Sequence, residues 1–264
     1  MIIDFHTHCF PDKIALSTVN KLSFSAGGLK FNYDGSLTGL KESMKSGGVD
    51  ISVVLNIATN PLKQNKVNDF ASSINNEQDI FAFGSVHPDS EDVFYELERI
   101  KELGLKGVKL HPEYQNFYVD DKKMFPIYKK ISDLNLITVF HAGYDYGFPP
   151  PYKATTERIV NILNEFSSPV VLAHFGGIDC YEKTLELLCG KNVYLDISCG
   201  YGMMPKFFAK AIIEKHGFDK ILFGTDSPWY TAETVNKLLS TLKFSEENLN
   251  KIKFENAKKL LNIK

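Results

Sequence analysis

Seven histidines are spread along this 264-residue chain, and all but His216 follow short apolar runs. His6 and His8 lie in Asp4-Phe5-His6-Thr7-His8. His87 follows Val86, His111 closes Lys109-Leu110-His111, His141 stands in Phe140-His141-Ala142-Gly143, and His174 in Ala173-His174-Phe175-Gly176-Gly177. A carboxylate, Asp226, takes the same kind of position in Gly224-Thr225-Asp226-Ser227-Pro228. Imidazole nitrogen and carboxylate oxygen are donors for divalent transition ions. Residues i and i+2 of a strand point to one side, so His6 and His8 can hold one ion, with His141 and Asp226 converging from elsewhere. Three imidazoles and one carboxylate suit zinc best, with iron, cobalt or manganese as other occupants. If such a site leaves room for water, the ion supplies hydroxide at neutral pH. Each residue alone has a plainer role. A lone H-x-H is weak evidence, His141 or His174 fits a hydrogen-bonded core histidine, and Asp226 before Ser227-Pro228 fits a cap of the loop into the last helix. Their joint placement is what predicts a metal site.

That placement needs a scaffold. Strand-like runs at 2–6, 51–57, 80–86, 107–111, 136–141, 169–174, 193–197 and 221–225 alternate with segments of helical period at 36–46, 61–75, 89–103, 122–134, 155–166, 178–188, 206–216 and 231–242. A further helix over 246–260 closes the pattern. Runs such as Val170-Val171-Leu172-Ala173 are apolar throughout, as strands buried on both faces of a parallel sheet are. Eight βα units with right-handed crossovers predict an α/β fold, a single (β/α)8 TIM barrel over residues 1–264, with an open doubly wound sheet as the competing arrangement. A barrel requires functional residues at the C-terminal ends of its strands, and the histidines and Asp226 stand there.

Composition narrows the partners. At 44% hydrophobic and 23% charged, the chain has the makings of a sizeable core. A formal net charge of -2 gives no electrostatic footprint for nucleic acid or an anionic membrane surface, which leaves a small molecule as the expected substrate. No apolar run approaches the ~20 residues of a membrane span, and no basic stretch followed by an apolar one marks a secretory signal. The cysteines, Cys9, Cys180, Cys189 and Cys199, form no C-x-x-C pair, so a reduced cytoplasmic protein is expected, with Cys9 a small apolar filler.

Taken in chain order, Asp4-Phe5-His6-Thr7-His8, Gly107-Val108-Lys109-Leu110-His111-Pro112, His141-Ala142-Gly143, Ala173-His174-Phe175-Gly176-Gly177, Asn192-Val193-Tyr194-Leu195-Asp196 and Leu222-Phe223-Gly224-Thr225-Asp226-Ser227-Pro228 resemble the amidohydrolase superfamily. The likeness is to its amidohydrolase-related branch, which includes aminocarboxymuconate semialdehyde decarboxylase. The resemblance implies a metal held by His6, His8, His141 and Asp226. It also implies that Asp226 acts as base toward water and that His174 hydrogen-bonds water or substrate. In binuclear relatives a carboxylated lysine on strand four bridges two ions. Lys109 stands on that strand, so one ion is expected and a second is possible, while the plain alternative for Lys109 is a structural or substrate-binding lysine. Relatives of this branch are often dimers, which makes a homodimer possible, although no self-complementary patch is legible.

Two reactions fit. The first is hydrolysis of an amide, lactone or ester through a metal-activated water, with Asp226 and His174 moving protons. The second is non-oxidative decarboxylation of an unsaturated or aromatic carboxylic acid. The only arginines, Arg99 and Arg158, are expected on outer helices. Arginine is the usual bidentate partner of a carboxylate, so substrate binding falls to Lys109, His111 and Tyr144, and hydrolysis is the favoured reading. A barrel that has lost catalysis and only binds a ligand is the reading from another class. The loop 143–151 and the segment after His111 are expected to shape the pocket. The insertion 17–33 reads equally as a lid or as a plain surface excursion.

Overall fold

The computed structural model describes residues 1–263; Lys264, the last residue of the expected domain, lies outside the described residues. All eight expected strands form, the first shifted by one residue and the others shorter than their apolar runs: β1 (Ile3–Thr7), β2 (Ile51–Leu55), β3 (Ile80–Phe83), β4 (Gly107–Leu110), β5 (Ile137–Phe140), β6 (Val170–Leu172), β7 (Tyr194–Asp196) and β8 (Ile221–Leu222). Helices fill the crossovers. After β1 come α1 (Ala15–Ser25) and α2 (Leu37–Gly47), then α3 (Gln64–Ile74), α4 (Val93–Glu102), α5 (Phe125–Asp133) and α6 (Thr156–Ile162) after successive strands. The next are α7 (Tyr181–Lys183) after β6, and α8 (Gly200–Met203) and α9 (Lys206–His216) after β7. Last come α10 (Ala232–Leu242), α11 (Glu246–Asn250) and α12 (Asn256–Leu261). The helices expected over 178–188 and 246–260 each contain a wider, π-type turn, Thr184–Leu188 and Lys251–Glu255. Among the described residues no helix is long and apolar enough to cross a membrane.

Regular parallel ladders join β1 through β3 and β4 through β8, and two seams close them into a barrel. At the first, Gly84 N donates to Gly107 O (2.9 Å) and Lys109 N to Gly84 O (2.8 Å). At the second, Phe5 N donates to Phe223 O, Asp226 N to His6 O and His8 N to Ser227 O, each at 2.8 Å. With every strand paired on both sides, the open-sheet alternative is excluded.

Alternation along the strands produces two cores. Ile3, Phe5, Val53, Leu55, Phe83, Val139, Val171 and Leu222 fill the barrel interior, closed below by Ala257 and Leu261 of α12. The other strand faces, among them Val54, Val108, Leu110 and Leu172, pack against the helices. α4 illustrates the fit: Val93, Leu97 and Ile100 recur at helical spacing and are buried, each contributing roughly 1.5–3 kcal/mol by leaving water. The interior core occupies the lower strand positions, and the polar residues stand above it.

One irregularity matters for the site. Pairing of β1 with β2 slips between Asp4 and Thr7, and a bulge of this kind re-aims a side chain. Phe5 joins the interior core, yet its neighbour His6 also turns inward to line the cavity above that core.

Candidate metal centre

The strand ends enclose a cavity of about 710 Å³ whose floor carries His6, His8, Lys109, His111, His141, His174, Cys199 and Asp226. Three of the four expected ligands meet directly. His6 Nε2 lies 3.3 Å and His8 Nε2 3.1 Å from Asp226 Oδ1. His8 Nδ1 is 2.8 Å from the carbonyl oxygen of Leu55, which can only accept, so the ring proton sits on Nδ1 and Nε2 presents a lone pair. His6 Nδ1 is 2.8 Å from Asp196 Oδ2. Burial, with Lys109 nearby, holds the His6 imidazole below its usual range, and its proton is likewise fixed on Nδ1. Two lone pairs and a carboxylate oxygen therefore face one another.

The tautomer of His141 follows from a chain of partners. The Ser198 hydroxyl donates to Asp196 Oδ1 and so accepts from His174 Nδ1 at 2.8 Å. That leaves His174 Nε2 to accept from His141 Nδ1 at 3.2 Å. Burial keeps both rings neutral, His174 pushed down to about 4 and His141 well below its usual range. His141 Nε2 is thus a lone pair, buried and without a partner. His6, His8 and Asp226 form one compact group of donor atoms, and His141 groups instead with His111 and Asp145. The His111 and His141 rings, however, stack at 4.2 Å and 14°. Parallel rings cannot both aim in-plane lone pairs at one ion, so that second grouping is a poor metal site.

The donor set passes a test of fit to a cation. Unpartnered buried polar atoms cost free energy, and clustered lone pairs repel; a divalent ion relieves both. Asp226 is suited to the part. Burial raises its carboxyl, but His6, His8 and His174 outweigh that and hold it well below the carboxylate range. Asp196, fully buried, is likewise held ionised against desolvation by His6, His174 and Ser198. It also accepts from the His174 backbone N–H, and thereby fixes two of the histidines.

The remaining expected residues fall around this floor. Lys109 is 1% exposed, its Nζ has no hydrogen-bond partner among the described residues, and burial brings its ammonium down to about 8 against the pull of Asp196 and Asp226. His111 Nε2 lies 3.5 Å from Asp145 Oδ2, and Tyr114 packs edge-on to the His111 ring at 4.6 Å. Tyr144 stacks on Tyr152 at 4.1 Å and lines the cavity nearer its rim. His174, expected to touch water or substrate, lines the cavity but has both ring nitrogens engaged by Ser198 and His141. Arg99 and Arg158 lie on α4 and α6, paired with Asp69 and Asp120 and away from the cavity. Gly143 has φ 85°, and a Cβ there would stand 2.1 Å from Ile178 N; only glycine lets loop 143–151 cross Ile178 and bring Tyr144 and Asp145 to the mouth.

Several residues escaped sequence reasoning. Asp4, whose carboxylate accepts from Thr225 N and Oγ1 at 2.9 and 2.7 Å, ties β1 to the turn that carries Asp226. Cys199 donates from Sγ to Asp226 Oδ2 at 3.1 Å. Asp196 and Ser198 form an Asp-x-Ser pair at the end of the seventh strand, the one signal that marks them. His174, Cys199 and Asp226 all have positive φ, 58°, 57° and 64°, a conformation that concentrates at functional sites.

The amidohydrolase family profile matches residues 3–263. No curated protein matches the chain. Among solved structures, a TIM-barrel protein of uncharacterised function from Bordetella bronchiseptica aligns at 20% identity and TM-score 0.79, covering 99% of this chain and 98% of that one. A probable 2-pyrone-4,6-dicarboxylic acid hydrolase from Acinetobacter baumannii aligns at 21% and 0.70, covering 99% of each chain. A dihydroxybenzoic acid decarboxylase from a Polaromonas species, with bound manganese, aligns at 15% and 0.74, covering 99% of this chain and 96% of that one. At such identities these likenesses establish the barrel fold alone.

Proposed function

The chain belongs to the amidohydrolase family and is an enzyme of that superfamily, and from this premise we propose that it is a metal-dependent hydrolase of a small molecule with an amide, lactone or ester bond. The observation that carries the reading is the pair of ring nitrogens His6 Nε2 and His8 Nε2 beside the ionised Asp226, with the unpartnered His141 Nε2 buried in the floor of the same cavity, each ring fixed by a hydrogen bond on its opposite nitrogen. These four residues would hold one divalent ion. The imidazole-rich donor set favours zinc, and manganese is present in one structural relative. When bound, the ion would supply Lewis acidity, polarising a carbonyl oxygen and making a water acidic enough to ionise near neutrality.

The chain's own residues do the rest. Asp226 accepts the proton of the attacking water, its second oxygen held by the Cys199 thiol. His174 orients His141, and its own ring is held by Ser198 and through it by Asp196. Lys109, a buried donor without a partner, and His111 hydrogen-bond the substrate, and Tyr144 packs against it at the rim. Decarboxylation of a carboxylic acid is the second reading. It is favoured by one observation, the unpaired Lys109 ammonium in a mostly apolar cavity, which suits a carboxylate that is to leave as carbon dioxide.

Metal analysis of the purified protein beside His6→Ala and Asp226→Asn tests the centre. About one equivalent of transition metal, lost in both variants, is the expected result; no metal after reconstitution with zinc or manganese sinks the mechanism. A panel of lactones, esters, amides and aromatic acids then separates the two reactions by whether acid or amine forms or carbon dioxide is released.

A further inference from the structure

The metal centre occupies only the floor of the cavity, and two helices form walls that it does not use. On the α1 side, Ile14, Thr18, Leu22 and Ala26 recur every four residues and line the cavity, with Leu29 beyond them. Recurrence at this interval places them on one helical face. Only Ala15 and Val19 of α1 are buried in the protein, and Ile14 is half exposed, so this apolar stripe faces open space. Lys63, Lys66, Val67 and Phe70 follow the spacing i, i+3, i+4, i+7 along α3 and the turn before it, again one face, and all four line the cavity. Val67 and Phe70 continue the apolar lining. Lys63 and Lys66 stand exposed at the rim, and neither has an anionic partner among the described residues. The two carboxylates of the lining lie beside histidines rather than these lysines, Asp226 beside His6 and His8, and Asp145 beside His111.

We propose that the substrate is an elongated amphipathic anion, with its reacting group on the floor, an apolar body between the α1 stripe and Val67 and Phe70, and an anionic end against Lys63 and Lys66. The identification of the reacting end rests on the proposed metal centre; the recognition of the body and the anion does not. Three features carry it together. The cavity, at about 710 Å³, is near the upper part of the range for small-molecule pockets, with room beyond a reacting group. The apolar stripe on α1 lines the cavity while the buried residues of that helix are Ala15 and Val19, and an apolar ligand body would remove the stripe from water. From Lys63 to Phe70 the helix rises on the order of 10 Å, the length over which this wall can follow a ligand body.

Binding can be read without knowing the reaction. The protein, metal-loaded and then stripped with a chelator, is titrated with 8-anilino-1-naphthalenesulfonate, and the bound dye is displaced with decanoate or with decan-1-ol. Decanoate is expected to displace the dye at about tenfold lower concentration than decanol, equivalent to about 1.4 kcal/mol, in both metal states. The double variant Lys63→Gln, Lys66→Gln should bring the two ligands level while leaving decanol unchanged, and Leu22→Asp should weaken both. Equal displacement by the two ligands in the wild type overturns the proposal. So does a preference for decanoate that survives the double variant, or one that disappears on metal removal, since the carboxylate is then on Lys109 or on the ion. Absence of bound metal would refute the hydrolytic centre and leave this measurement unaffected.

Discussion

Replacing Lys109 with methionine should make the metal-free protein more stable near neutral pH while abolishing its activity. The side chain is 1% exposed and its ammonium has no hydrogen-bond partner. Burial brings the pKa from 10.5 to about 8, so the folded protein binds this proton less tightly than the unfolded chain does. Below pH 8 both states are protonated and the full penalty is present. Between pH 8 and 10.5 the unfolded chain carries more of the proton, and stability rises with pH until the penalty is gone. A difference of about 2.5 pH units at 1.36 kcal/mol each gives about 3 kcal/mol. Methionine preserves the linear apolar stem, so most of that should appear as a gain, a rise of roughly 5–10 °C in Tm. Chemical denaturation of chelator-treated wild type and Lys109→Met at pH 7 and pH 10 measures it directly. The variant should lead by about 2–3 kcal/mol at pH 7, and the lead should shrink toward pH 10. A variant that is less stable at both, or a lead indifferent to pH, would refute the picture of an uncompensated buried cation and give Lys109 a structural partner instead.

Two further outcomes follow from the same geometry. Asp196→Asn replaces the carboxylate that accepts from His6 Nδ1 and Ser198, and metal affinity measured by chelator competition should fall about 10- to 100-fold while far-ultraviolet circular dichroism stays unchanged; an unaltered affinity would mean that the ring of His6 is held by packing alone. Gly143→Ala forces a Cβ to within 2.1 Å of Ile178 N at φ 85°, so loop 143–151 should be displaced and substrate KM should rise at least about tenfold with metal content intact, whereas wild-type kinetics would show that the loop does not shape the pocket.

The fold was legible because its signals are local. Strands buried on both faces leave apolar runs, and the polar residues that interrupt them fall where a barrel puts its mouth. His6, His8, His141 and Asp226 could therefore be proposed together without knowing any distance. Asp4, Asp196 and Cys199 could not, because their roles depend on which strand lies beside which. Asp4 meets Thr225 across the closing seam, and Asp196 meets His6 across the barrel interior. α1 was hidden for another reason. Its sequence, Ala15-Leu16-Ser17-Thr18-Val19-Asn20, is rich in Ser, Thr and Asn, which favour caps and turns over helix interiors, no side chain caps its start, and only Ala15 and Val19 are buried. The segment 17–33 accordingly read as an insertion, and the helix that lines the cavity became apparent only in three dimensions. The tautomer of His141 was out of reach as well, since it follows from Ser198 and His174 acting in series.

The seam between the first and last strands has a consequence for how the protein comes into being. His6 and Asp226 are 220 positions apart in the chain, yet Asp226 N donates to His6 O at 2.8 Å and the two side chains face each other across the candidate ion position. A nascent chain therefore carries His6 and His8 long before Asp226 is made, and the proposed donor set is complete only when the eighth strand has docked. If these residues hold an ion as proposed, its capture would come late in biogenesis and would work as a latch, rewarding only a finished barrel and tethering the two ends of the sheet to each other. A chelator acting on the mature protein would loosen that latch first, and fraying would begin at the seam rather than at the paired strands on the far side.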